Sequence, residues 1–344
     1  MIRFNNDYNL GCHPAVLEAL KDNNSTAFPG YGTDKLCEKA ADEIKKYMPK
    51  ADCSIHFLTG GTQVNSVLIE AALRPYQSVI CPESAHINVH ESGAVESTGH
   101  KIQALKAENG KITASQIEEE MELYLSSDIP EHITQPRLVY ISFPTEYGTL
   151  YSKKELEAIS ASCAQYGLYL YIDGARMGYG LGSEENDLSL SDLCRLSSAF
   201  TIGGTKCGAL FGEALAINSR ALDTDFRNYM KMSGALLAKG WLLGLQFDAL
   251  FKDGLYFEIT KKADEYAQMI KRAFEEKGFS FYMDSPTNQQ FVIVNKEQMN
   301  KLAQKYYFEY EANLKDGNHC IRFCTSWGTK EEDVQTLIKD IETL

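Results

Sequence analysis

No uninterrupted apolar run in the sequence approaches the roughly 18 residues that a membrane-crossing helix needs, so a transmembrane protein is not expected. The opening stretch MIRFNNDYNLGCHP lacks the apolar h-region of a secretory leader, and the expected location is cytoplasmic. Positive charge is scarce: 34 Lys and Arg stand against 47 Asp and Glu, for a net charge of −13. With no basic stripe to offset that balance, a nucleic-acid partner is not expected. The nine cysteines form no CxxC pair, and several lie inside apolar segments. That usage fits reduced, core-filling thiols rather than a disulfide framework or a zinc knuckle. Neither GxxxxGK(S/T) nor GxGxxG occurs, which removes the P-loop and the dinucleotide fingerprint. Internal repeats and low-complexity segments are also absent.

What remains is an ordinary globular composition, 44% hydrophobic and 24% charged over 344 residues. That length suits two packed lobes. From about residue 54 to 217, short apolar strands alternate with helical stretches. SIHFLT, QSVICP, PRLVYISF, LYLYID, AFTIGG and GALFGEALAIN read as strands. TQVNSVLIEAALR and SKKELEAISASCAQYG read as helices. Strands apolar on both faces, such as Leu168–Ile172, belong in a mainly parallel sheet covered by helices on each side. The fold class is therefore α/β, and ligands in such sheets sit beyond the carboxyl ends of the strands. After about residue 240 a long helical run leads into short strands and a final helix, a smaller α+β lobe. No Pro/Gly/Ser linker intervenes, so one continuous helix is expected to join the two lobes.

Five stretches could carry chemistry. In LYLYIDGARMG, Asp173 ends an apolar strand, where a carboxylate wants a cation or a turn to cap. Arg176, three residues on, is a ready partner for it. In FLTGGTQVNS a strand enters two glycines and a helix begins near Thr62, a turn that could equally cradle a phosphate or simply reverse the chain. In SAHINVHES, His86 and His90 share a face if the stretch is helical. Zinc is disfavoured there, because no third ligand can be nominated, and His86 is better placed to stack on a flat ligand. In HCIRFCTSW, strand alternation puts Cys320, Arg322, Cys324 and Ser326 on one face. Such an arginine wants an anion, from a ligand or from an internal salt bridge. Finally, TIGGTKCGALFGE sets Lys206 among Gly203, Gly204, Thr205, Cys207 and Gly208, which would leave room for a bulky group on its ammonium. A lysine that forms Schiff bases, an acid and a phosphate turn are the three parts that pyridoxal phosphate requires.

With these residues in view, the sequence resembles the low-specificity L-threonine aldolases, in the group of fold-type-I pyridoxal-phosphate enzymes that also contains the beta-eliminating lyases. The likeness runs nearly end to end, through FNNDYNLGCHPAVLEAL, GYGTD, FLTGGTQVN, ESAHINVHESGA, PTEYGTLYS, YIDGARMG, GGTKCGAL, MSGALLAKGWLLGLQF and IRFCTSWGTKEEDV. It implies a large cofactor-binding domain over residues 1–245, with a mainly parallel sheet, and a small C-terminal α+β domain over 246–344. By the same resemblance Lys206 bonds to the cofactor, Asp173 pairs with its pyridinium nitrogen, His86 stacks on the ring, and Gly61 and Thr62 hold the phosphate. Arg176 and Arg322 bind the substrate carboxylate. Lys239 reaches a neighbouring subunit's phosphate, and Tyr31 lies at a subunit-shared site.

Two positions depart from the family pattern. Asn6 stands where many members have serine, and it can still donate to the substrate carboxylate. Glu146 stands where many have histidine, close to the substrate's β-hydroxyl, so the candidate bases are Glu146, His86 and a bound water. The implied reaction is retro-aldol cleavage of L-threonine, L-allo-threonine or a related β-hydroxy-α-amino acid to glycine and an aldehyde. The alternatives on the same chassis are β-elimination from serine or cysteine and transamination, or a non-catalytic cofactor-binding homologue. A homodimer or homotetramer with shared active sites is the implied assembly.

Overall fold

Alternate residues of the central strands feed two different cores. Val139, Ile141, Leu170, Ile172, Phe200 and Ile202 enter one apolar cluster. Their neighbours Leu138, Tyr140, Tyr171 and Ala199 enter a second. A sheet buried on both faces must be covered by helices on both, and it is. The computed structural model describes residues 1–49 and 52–344.

Strand β1 (Ile2–Arg3) opens the chain. The central sheet is built from β2 (Ser54–Leu58), β3 (Gln77–Pro82), β4 (Lys101–Leu105), β5 (Gln135–Ser142), β6 (Tyr169–Asp173), β7 (Ala199–Gly203) and β8 (Glu213–Ile217). Its order is β2-β8-β7-β6-β5-β3-β4. All pairs from β7 to β4 are parallel, while β8 runs antiparallel to both of its neighbours. Strands β2, β7, β6, β5 and β3 therefore end at one edge of the sheet, and β8 begins there.

The smaller sheet contains β9 (Phe281–Met283) and β10 (Gln289–Val294). Further on, β11 (Tyr306–Tyr307) pairs in parallel with β1, while β12 (Glu309–Asn313) and β13 (His319–Cys324) complete the four-stranded order β12-β13-β10-β9. The β1–β11 pairing draws the N-terminus onto this second lobe, and Phe4 is buried in its core with Val292, Ile321 and Phe323.

The expected continuous connecting helix is interrupted. Trp241–Phe251 and Leu255–Glu276 are separate helices, because Asp253 (φ 56°) and Gly254 (φ 79°) adopt left-handed backbone between them. Left-handed residues cannot continue a right-handed helix. The second helix still bridges the lobes, packing against the helix Met177–Gly182 on one side and Glu331–Ile341 on the other. Strands β4, β11 and β12 were not legible as strands. Each is short and partly exposed, so its residues lack the apolar alternation that marks a buried strand. No helix among the described residues is long and apolar enough to cross a membrane.

Candidate active site

The common strand edge gathers the polar residues of the apolar sheet. Asp173 closes β6, the middle strand, and is almost wholly buried. A carboxylate in that setting needs donors, and it has three. Its Oδ2 accepts from the Tyr140 hydroxyl at 2.6 Å and from Asn65 Nδ2 at 3.1 Å, and its Oδ1 accepts from the Ala175 N–H at 2.9 Å. Arg176 is not its partner, contrary to the simplest sequence reading. That guanidinium turns to Asp7, donating from Nε at 2.7 Å and from Nη2 at 3.0 Å, and Asn288 donates to the same carboxylate at 3.0 Å. Burial opposes both charges of this pair. The arginine nevertheless holds Asp7 below its ordinary range, and Asp7 holds Arg176 above its own.

Lys206 lies in the turn between β7 and β8, lining the same cavity as Asp173. Burial, helped by the nearby Arg176 charge, pushes its pKa down, which favours the neutral amine that attacks a carbonyl. The glycines beside it do not serve to make room for a ligand. A Cβ on Gly203 would stand 2.1 Å from the Ala175 carbonyl oxygen, and one on Gly204 would stand 2.4 Å from that of Gly212. They are required because backbone packs on backbone. Glu213, the first residue of β8, closes this turn by accepting from the Gly204 N–H at 2.8 Å. Burial pushes the pKa of Glu213 up to about 7.

The turn after β2 is different. Gly60 and Gly61 begin the helix Gly61–Ala72, whose N-cap offers no side-chain acceptor, and a Cβ on either glycine would meet nothing within 4 Å. Gly61 and Thr62 thus present the N-terminus of a twelve-residue helix to open space in the cavity. Unpaired N–H groups and the helix dipole suit that end for a phosphate.

His86 and Glu146 meet at the third wall. His86 opens a short helix, and its backbone N–H donates to Glu146 Oε1 at 2.9 Å, which also accepts from Ser142 Oγ at 2.7 Å. The other oxygen, Oε2, is buried without a partner. Burial raises the pKa of Glu146, despite the hydrogen bond from Ser142. The His86 and His90 rings are 5.6 Å apart, and Nδ1 of His86 is taken by Glu91 at 2.7 Å. No cluster of three metal-ligating side chains occurs among the described residues.

These groups line a cavity of about 380 Å³. It adjoins a vestibule of about 1000 Å³ that shares Tyr8, His86, Glu146, Arg176 and Lys206 with it. Arg322 faces this vestibule from β13. It meets Glu311 at 3.1 Å, while its Nε is buried and unpartnered. Cys320 and Cys324 flank it on the strand as expected, but Ser326 lies beyond the strand end.

Three expected site residues are not in this cavity. The Asn6 side chain accepts from the Tyr8 N–H at 3.1 Å, and its neighbour Asp7 makes the contact with Arg176. Lys239 is exposed on the loop before Trp241. Tyr31, with φ of 64°, lines a separate cavity, where Arg227 donates to its carbonyl and the Lys231 ammonium sits 4.6 Å from its ring centroid. Asp7, Asn65, Glu91, Tyr140 and Glu213 were missed as site residues. The available signal was polarity where apolarity was due: Asn65 sits on the buried face of its helix beside Val64 and Leu68, and Tyr140 and Tyr171 sit inside strands buried on both faces.

Residues 19–297 match the beta-eliminating lyase family. The chain belongs to that family. Among curated proteins of known name it is 32% identical to the low specificity L-threonine aldolase of a Pseudomonas species, over 99% of this chain and 97% of that one. The like-named protein of Pseudomonas aeruginosa is 31% identical, over 98% and 96%. A solved Leishmania major threonine aldolase superposes with a TM-score of 0.97 at 41% identity, covering 100% of this chain and 99% of that one. A Thermus thermophilus aspartate aminotransferase, at 13% identity, TM-score 0.71 and coverage of 100% and 92%, shares the fold alone. This beta-eliminating lyase family member is a fold-type-I enzyme, and pyridoxal phosphate is its cofactor. The residues fit that group. The cavity offers a buried lysine, a donor-saturated carboxylate at the sheet centre and an uncapped helix N-terminus whose glycines leave space.

Proposed function

We propose that this lyase cleaves the Cα–Cβ bond of L-threonine, L-allo-threonine or a related β-hydroxy-α-amino acid to give glycine and an aldehyde, acetaldehyde for threonine itself. The name shared by the Pseudomonas relatives and the Leishmania structure supports this reading. The observation that carries it is Glu146, which lines the same cavity as Lys206 and Asp173 and whose Oε2 is buried without a partner. A retro-aldol cleavage needs a base for the β-hydroxyl, and a desolvated carboxylate with one idle oxygen is suited to that proton. When bound, pyridoxal phosphate supplies the electron sink for the charge left at Cα.

The chain's own residues do the rest. Lys206 is the residue that would carry the cofactor, its amine lowered in pKa by burial and so suited to bonding an aldehyde. Gly61 and Thr62 would hold the cofactor's phosphate at the helix N-terminus, and His86 would stack on its ring. Asp173, held in place by its three donors, would pair with the pyridine nitrogen. Arg322, whose Nε has no partner, binds the substrate carboxylate, and Arg176, steadied from behind by Asp7, assists with its remaining N–H groups, with Asn6 beside it.

The reading includes a cytoplasmic homodimer or homotetramer, supported by nine free cysteines and by exposed apolar side chains at Leu17, Tyr31, Leu210 and Met232. In such an assembly the exposed Lys239 and Tyr31 serve a neighbouring subunit's site. We divide the chain into 1–245 with the cofactor machinery and 246–344 as the smaller lobe, which the N-terminal strand reaches back to join.

The test is product identity. Purified protein with pyridoxal phosphate and L-threonine should yield glycine and acetaldehyde, and E146Q should lower kcat by about 10²–10⁴-fold. Pyruvate from serine or cysteine, with no glycine from threonine, would replace this reading with β-elimination.

A further inference from the structure

Glu91 follows His86 by five residues, and its side chain has no exposed surface. An isolated carboxylate in that position is costly, so its partners define its purpose. Both partners converge on one oxygen. Oε1 accepts from His86 Nδ1 at 2.7 Å and from Asn65 Nδ2 at 2.7 Å, while Oε2 is buried and unpartnered. An ionised carboxylate can only accept, so Nδ1 of His86 carries the hydrogen and Nε2 is left as the ring nitrogen free to respond to the site.

Asn65 is the second half of the device. Its Nδ2 also reaches Asp173 Oδ2 at 3.1 Å, and its Oδ1 accepts from the Tyr171 hydroxyl at 2.7 Å, which in turn meets Thr201 Oγ1 at 2.7 Å. The amide orientation is fixed by this company, because a flipped amide would set its oxygen against two carboxylates. Its two N–H groups are thus divided between Asp173 and Glu91, and they separate two negative groups that would otherwise repel.

We propose that Glu91 and Asn65 are positioning residues that lock His86 in its Nδ1–H tautomer and couple its ring to Asp173, so that the two cofactor-facing groups are held as one unit. The proposal rests on the reading of His86 and Asp173 given above. It adds that neither is set independently: the chain His86–Glu91–Asn65–Asp173 transmits the orientation of one to the other. The uneven loading of Glu91 supplies a clean test. In E91Q the amide oxygen can take the place of Oε1 and keep both donors, with its NH₂ at the unpartnered position. In E91M the shape is retained and the acceptor is lost.

The experiment uses the holoenzyme with ¹⁵N-labelled histidine and long-range ¹H–¹⁵N correlation. Wild type and E91Q should show His86 as the Nδ1–H tautomer, with an Nδ1 proton protected from solvent exchange. E91M should show the other tautomer or a mixture, and should lose about 10–100-fold in kcat/KM, taking as scale the loss met when the outer partner of a metal-bound histidine is removed. E91Q should restore most of that loss. An unchanged Nδ1–H tautomer in E91M would overturn the proposal, and so would the Nε2–H tautomer in wild type, a measurement that needs no variant to fold. If the tautomers behave as expected but threonine yields no glycine, the positioning device stands and the reading of the reaction falls.

Discussion

Two glycine pairs stand at the same edge of one sheet and do opposite things. Gly60–Gly61, after β2, look into open space, and a Cβ there would touch nothing within 4 Å. Gly203–Gly204, at the end of β7, are pressed against carbonyl oxygens of Ala175 and Gly212. In the sequence both pairs are a strand running into GG and then Thr. The first pair leaves space beside free helix N–H groups. The second lets the lysine-bearing turn lie flat on the neighbouring strand end. What a glycine is for depends on what its missing side chain would have met.

The comparison can be broken most forcefully at Gly203. G203A drives a Cβ into a backbone oxygen at 2.1 Å, a clash that no rotamer can relieve. We expect a loss of at least about 3 kcal/mol of stability, read as a large fall in Tm or in soluble yield. A G203A protein with the wild-type Tm would show that the turn is not tightly packed.

The next effect concerns the carboxyl that holds the Gly204 N–H. Glu213 titrates near 7 in the folded protein against an ordinary value of 4.5. Between those values the folded chain keeps a proton that the unfolded chain has lost, so this group's contribution to stability falls as pH rises and levels off above about 7. The decline is up to about 3 kcal/mol for a group this buried. Thermal melts of the cofactor-free protein from pH 5 to 8 should therefore converge on, and then fall below, those of E213Q, which lacks the titration. Parallel curves for the two proteins across that window would remove the assignment.

The smallest effect is expected at Gly61. G61A should leave the unfolding free energy within about 1 kcal/mol of wild type, since alanine is at ease in a first helical turn. It should nevertheless weaken cofactor retention about tenfold, because the methyl enters the cradle. Equilibrium dialysis against pyridoxal phosphate measures this. Unchanged retention would mean that the phosphate lies elsewhere.

The site was legible where chemistry is carried by a residue in a distinctive local setting. Lys206 within its glycines, Asp173 at the end of an apolar strand, His86 beyond another strand end, and the GGT turn each stood out, and the fold brings all four to one cavity. Glu146 joined them through the family resemblance. The supporting partners were not legible, because their identity depends on contacts distant in the chain. Arg176 meets Asp7 across 169 positions, and Asn65 meets Asp173 across 108. Local spacing instead suggested that Arg176 would pair with Asp173, three residues away. The bridging helix misled for a related reason: KDG reads as tolerable within a strong helical pattern, whereas the left-handed backbone at Asp253 and Gly254 ends one helix and starts another.

By itself, then, the sequence determined the alternation of apolar strands and helices, and with it an α/β sheet whose strand ends carry Lys206, Asp173, His86 and the GGT turn. Those features follow from periodicity and from local backbone chemistry, which act over a few residues. Only the tertiary structure decided that Asp7 anchors Arg176, that Glu91 and Asn65 tie His86 to Asp173, and that one glycine pair is open while the other is packed. Each of these depends on which distant groups share a low-dielectric interior, where an unpaired charge is expensive and each buried donor or acceptor needs a partner within about 3 Å.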